Sequence, residues 1–216
     1  MRNRYLSLLS CLVATSTAMA GGMSSTDSSS PSYTAFVAAS TGYGAFDFDE
    51  LRSSGLDSNY AGASLPIGGE LGVNFAQSND FNVSASIFGD WFLSTAHETT
   101  GRTSGNRNYN VNSLWGVKVT PAINVSNVNL GLDLGYVSFN SDYELEGIYN
   151  NQGVKQSGWL VGVQAMVPLN KQLSFTLASS YVSASSKTFT GSNAVDYKVT
   201  PNLLLAKVGL QYNFNV

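Results

Sequence analysis

Side chains along most of this chain alternate in character from one residue to the next, and helical periodicity is scarce. A period of two marks a half-buried strand, because successive side chains leave a pleated backbone on opposite faces. Between Phe81 and Leu93, one face carries Phe81, Val83, Ala85, Ile87, Gly89, Trp91 and Leu93. The other carries Asn82, Ser84, Ser86, Phe88, Asp90 and Phe92. Comparable stretches run over 33–43, 65–75, 109–123, 128–139, 158–169, 173–183 and 199–216, making eight in all. Three connections are tight (76–80, 124–127, 170–172) and four are long (44–64, 95–108, 140–157, 184–198), and the two kinds alternate. Antiparallel strands joined in this way predict an all-β, eight-stranded, up-and-down barrel with four long extracellular loops.

A soluble barrel has the same count, so the chemistry of the faces decides. Charged residues are only 12% of the chain and mean hydropathy is −0.01, whereas a soluble exterior needs Lys and Glu in quantity. On the apolar phase, Tyr43, Trp91, Trp115, Tyr136, Trp159 and Tyr181 fall at the long-loop end. Tyr33, Phe75, Phe81, Phe175 and Phe214 fall at the tight-turn end. Phe81 and Trp91 are ten residues apart, roughly 23 Å of height on a strand tilted near 45°. That matches an apolar band of about 25 Å between two aromatic girdles. The other face is mainly Gly, Ser, Asn and Thr. Lipid offers no partner to free backbone groups, which requires the sheet to close. Pro66, Pro121, Pro168 and Pro201 are expected near strand ends, where a missing donor is tolerated.

The first residues supply an address. Arg2 and Arg4 precede an apolar stretch, and Ala18-Met19-Ala20 gives a small-x-small cleavage site, the pattern of a secretory signal peptide over 1–20. A lipoprotein reading at Cys11 leaves too short an apolar run before the cysteine. Residues 21–31 read as a polar spacer and 32–216 as the barrel domain. No later segment has eighteen consecutive apolar residues. The expectation is export to a Gram-negative outer membrane with both termini periplasmic.

Two stretches carry a family resemblance. In Val208-Gly209-Leu210-Gln211-Tyr212-Asn213-Phe214-Asn215-Val216, the residues Leu210, Tyr212, Phe214 and Val216 stay in phase to the last position. This resembles the C-terminal signal read by the barrel-assembly machinery, with Val216 where the usual signal has Phe or Trp. Gly68-Gly69-Glu70-Leu71-Gly72-Val73-Asn74-Phe75 resembles the second strand of small OmpA-like and opacity-protein barrels. With no room after Val216 for the peptidoglycan-binding domain of OmpA itself, the resemblance implies the transmembrane domain alone. It also implies outer-membrane lipid, lipopolysaccharide included, and the assembly machinery as partners.

Glu70, Asp90, Lys118, Asp133 and Lys207 lie on the inward phase of five strands. A barrel of eight strands is just wide enough for side chains to fill, and unpaired buried charges are costly. A lumenal network is therefore expected, in which Lys118 and Lys207 bridge the three acids.

Catalytic and metal sites are not evident. The one histidine, His97, falls in a polar loop with Thr99 two residues on, where a lipid A deacylase places Ser on a strand. The acids Asp47, Asp49, Glu50 and Asp57 lack the spacing of a calcium loop. With a net charge of −3 and no basic surplus, nucleic acid is not a partner. No cofactor is implied. The loops then become the functional surface, with Tyr and Phe among charges in Phe46-Asp47-Phe48-Asp49 and 143–149 as anchors for a host or cell-surface ligand. The expected role is non-enzymatic, structural or adhesin-like. A narrow porin-like channel for small or apolar solutes and a lipid A-modifying enzyme are the alternatives.

Overall fold

The computed structural model describes residues 33–52, 57–77, 80–97, 107–145, 149–190 and 196–214. The expected signal peptide and spacer, and Val216 of the assembly signal, lie outside the described residues. Nine strands follow one another: β1 (Thr34–Arg52), β2 (Asp57–Gln77), β3 (Phe81–His97), β4 (Arg107–Val125), β5 (Val128–Leu145), β6 (Tyr149–Pro168), β7 (Leu173–Ala184), β8 (Lys187–Thr190) and β9 (Asp196–Asn213). Each of β1 to β6 pairs antiparallel with the next, and β7 pairs with β9. The pairing of β1 with β9, from Phe36↔Asn213 to Arg52↔Tyr197, closes the sheet. Because β7 and β8 both pair with β9, they form a single stave broken at Ser185 and Ser186. The fold is therefore a closed antiparallel barrel of eight staves. The break falls opposite Pro201, which has no N–H to give to the ladder. A bond from Thr200 Oγ1 to Ser186 Oγ (3.0 Å) spans the gap.

All three tight connections sit at one end. Between β4 and β5, Ser126 and Asn127 form a two-residue turn closed by the Val125↔Val128 pair, and Ser126 has φ 57°. Hairpin turns of this length need a positive φ, which glycine adopts freely and serine does not. Ser126→Gly should therefore stabilise the barrel by on the order of 1 kcal/mol, read as a higher urea midpoint.

At the other end the strands run further than the alternation indicated. Residues 44–52 and 57–64, expected in a loop, pair as strand through Phe48↔Tyr60 to Leu51↔Asp57. Likewise 140–145 and 149–157 belong to β5 and β6, and His97 is the last residue of β3. Pro66 and Pro201, expected near strand ends, consequently lie inside β2 and β9. Pro66 sits at a register shift, where a missing donor does least harm.

The extensions were hidden because the two faces exchange roles along the staves, as β5 and β6 show. Up to the level of Tyr136, β5 turns Leu130, Leu132 and Leu134 outward, exposed, and buries Asp133. Beyond Tyr136 the outward residues become Ser138, Asn140 and Asp142, while Val137 and Phe139 are buried inside. In β6, Val161 and Val163 face outward below Trp159, with Ser157 and Lys155 above it. Leu160 and Val154 point in. One half of the barrel is thus apolar outside and polar inside, and the other half is the reverse. Each half carries the pattern its surroundings require: lipid in one case, water in the other.

Candidate functional site: a lumen closed at two levels

The lumen of the apolar-coated half is lined by short polar side chains, with Ser86, Thr120, Ser174, Ser180 and Gln211 all buried. Halfway up stand the five expected ionisable residues. Lys118, on β4, reaches Glu70 of β2 at 3.0 Å and Asp133 of β5 at 3.5 Å. It also donates to Gln164 Oε1 at 3.3 Å, and Thr120 Oγ1 donates to Asp133 Oδ1 at 2.5 Å. Lys207, on β9, bonds both oxygens of Asp90 on β3, at 3.1 and 3.0 Å, across a sequence separation of 117 residues. The five form two clusters, Lys118 with Glu70 and Asp133, and Lys207 with Asp90.

Phe88 joins them. Its ring lies with Lys118 Nζ at 5.8 Å and Lys207 Nζ at 5.6 Å from the centroid, both within cation–π range. Asp90 packs so closely on Gly68 that a Cβ there would overlap its carboxylate. The residual cavity among these groups is about 30 Å³, room for a water molecule and no more.

Above the ions the lumen is apolar. Phe46, Phe48, Val111, Leu114, Val137, Phe139, Leu160, Val182, Val199, Leu203 and Leu205 form one buried cluster, with Phe88 as its floor and Phe92 against its side. Leu114 and Val137 are 0% exposed. Phe46 meets Phe92 edge-on at 5.4 Å. This corrects the expectation for Phe46 and Phe48, which are core residues and not surface anchors. Only Asp47 and Asp49 of that motif point outward. A register shift in β4 between Val111 and Ser113 lets both Val111 and Leu114 face inward.

The aromatic residues of the expected girdle all face out. Tyr43, Trp91, Trp115, Tyr136, Trp159 and Tyr181 are exposed at the level where the faces exchange roles, and Phe81 and Phe214 are exposed at the tight-turn end. Trp91 and Trp115 meet edge-to-face at 4.7 Å, and Tyr136 and Trp159 at 5.2 Å. The Trp115 indole lies over Gly89, where any Cβ would collide with it. Leu210 and Tyr212 on β9, and Phe214 just past its end, remain outward, and the Phe214 N–H donates to Ala35 O at 2.8 Å. Among the described residues no group of His, Cys, Asp and Glu is placed to hold a metal ion.

A closed barrel with an apolar band bounded by aromatic rings is an outer-membrane β-barrel protein. Among solved structures it is similar to OprG from Pseudomonas aeruginosa (13% identity, TM-score 0.49, covering 85% of this chain and 97% of that one). It is also similar to Ail, the attachment invasion locus protein of Yersinia pestis (15%, 0.41, 83% and 98%), and to Neisserial surface protein A (11%, 0.43, 83% and 97%). No protein-family model and no curated protein matches the chain.

Proposed function

We propose that this barrel is a non-enzymatic surface protein of a Gram-negative outer membrane, with its tight turns in the periplasm and its extended hairpins outside the cell. One observation carries the reading: the lumen is filled twice, by ions and by an apolar core, so solute has no path and function falls to the outer surface. In β5, the stretch from Tyr136 to Leu145 rises roughly 20 Å above the girdle at a tilt near 45°. Projections of this height carry the connecting segments toward a host or cell-surface ligand, beyond the headgroups of the surrounding lipopolysaccharide. In this reading the aromatic rings seat the barrel at the two interfaces. The five charges plug it, and Leu210, Tyr212 and Phe214 serve the assembly machinery.

Two measurements test it. Wild-type protein refolded into planar bilayers should show no stepwise conductance. Replacing 141–154 with a two-residue turn should leave the membrane barrel folded but reduce bacterial attachment to host cells or matrix. A steady conductance would instead favour the channel reading. Attachment that survives trimming of all four hairpins would remove the adhesin-like role.

A further inference from the structure

At the tight-turn end the lumen opens into a polar cup of about 610 Å³, distinct from the ion clusters above it. Its wall is a crown of carboxamides from five staves: Asn74, Asn82, Asn124, Asn129, Gln211 and Asn213. Among the described residues, Lys171 is the only charged one that lines it. A hydrated mouth has no need of this choice, since Ser, Asp or Lys serve equally well in water. Carboxamides differ in presenting a donor and an acceptor side by side without charge.

The crown satisfies itself only in part. Asn129 Nδ2 donates to Asn124 Oδ1 at 2.8 Å and Gln211 Nε2 to Asn213 Oδ1 at 2.9 Å. The side chains of Asn74 and Asn82 have no hydrogen-bond partner among the described residues, although Asn74 is only 6% exposed. Neither amide is among the buried unpaired polar atoms, which are Ser64 Oγ and Ser141 Oγ, so both open on the cup with a donor and an acceptor to offer water or a ligand.

We infer that the cup binds an N-acetylated amino-sugar glycan. An acetamido group offers the N–H and C=O that a carboxamide complements, and the sugar hydroxyls suit the remaining amides. The near-absence of charge argues against phosphate or carboxylate ligands as the main determinant. The volume lies within the range of small-ligand sites. If the tight turns face the periplasm, as proposed above, the glycan strands of the cell wall are the source at hand. The barrel would then be tethered from below as well as displayed above.

The test uses the full-length mature chain folded in lipid nanodiscs, with ¹⁵N-labelled Asn and Gln side chains followed by NMR. The N-acetylglucosamine trimer should shift the crown amides saturably, and the glucose trimer, which lacks acetamido groups, should not. Asn74→Leu with Asn82→Leu should weaken the trimer about tenfold, the loss of one or two hydrogen bonds. Altered mobility on unheated gels certifies folding of this variant. If it does not fold, Asn82→Leu alone, at a half-buried site, should still weaken binding. No shift with the acetylated trimer, equal binding of the glucose trimer, or undiminished binding by the variants would each overturn the site. Orientation is checked separately: Ser126→Cys should resist a membrane-impermeant maleimide on intact cells. Labelling there would remove the cell-wall assignment and the proposed orientation together, whatever the nanodisc result.

Discussion

Lys118→Met is expected to cost the barrel about 3–5 kcal/mol, the range for removing one member of a buried ion cluster. Lys118 is 9% exposed and bonded to two carboxylates, of which Asp133 is 3% exposed. Methionine keeps the stem and deletes the charge, so Glu70 and Asp133 would be left facing each other in a lumen with no room for bulk water. The loss should appear as a lower urea midpoint for the barrel in nanodiscs, with an unchanged slope. Lys187→Met, at an exposed position near the rim, should move the midpoint by less than about 0.5 kcal/mol. A triple variant, Lys118→Met with Glu70→Gln and Asp133→Asn, should recover much of the stability, because the penalty comes from stranded charge and not from lost attraction. Equal effects of Lys118→Met and Lys187→Met would dismiss the plug.

The sequence shows which residues share the lumen more clearly than it shows how they pair. Glu70, Asp90, Lys118, Asp133 and Lys207 are all on the inward phase, and phase is a local property of each strand. The partnership of Lys207 with Asp90 across 117 residues depends on the stagger of the closed sheet, which no single strand records. Phe88 illustrates the second limit. It stands on a polar face between Ser86 and Asp90 and looks like an exception there, until the two ammonium groups beside its ring and the apolar cluster above it are seen together.

The extensions of the strands were illegible for a different reason. A rule that assigns the apolar phase to the outside holds only while the outside is lipid. In β1, Phe46 and Phe48 continue the alternation without interruption, yet on the inward phase, with Asp47 and Asp49 turned out. Taken as a change of element, that switch looks like a loop. It is a change of solvent. In β4 the register shift at Val111/Ser113 disturbs the pattern further, since bulges move a residue from one face to the other. The tight-turn end was easier, because turn residues and short spacing are local, and the strand ends flanking it, Gln77 and Phe81, Val125 and Val128, Pro168 and Leu173, fall within two residues of the expected ones.

The change of solvent along each stave makes the second large prediction. Arginine placed in turn at Leu132, Leu134, Ser138 and Asn140, all outward on β5, should give a step in cost and not a gradient. At Leu132, well inside the apolar band, the expected destabilisation is about 2–4 kcal/mol. Near the interface it falls to about 0–1 kcal/mol. Tyr136 marks the boundary, because the inward residues exchange polarity at that same height, from Asp133 below to Val137 and Phe139 above. Ser138→Arg and Asn140→Arg should therefore be close to neutral in urea unfolding from lipid. The inward face should give the reverse order: at Val137, 0% exposed in the apolar core, Asp should be among the most damaging substitutions in the chain. Were Asn140→Arg as costly as Leu132→Arg, the upper half would be immersed in lipid, and the projecting hairpins would have to be abandoned along with the surface role built on them.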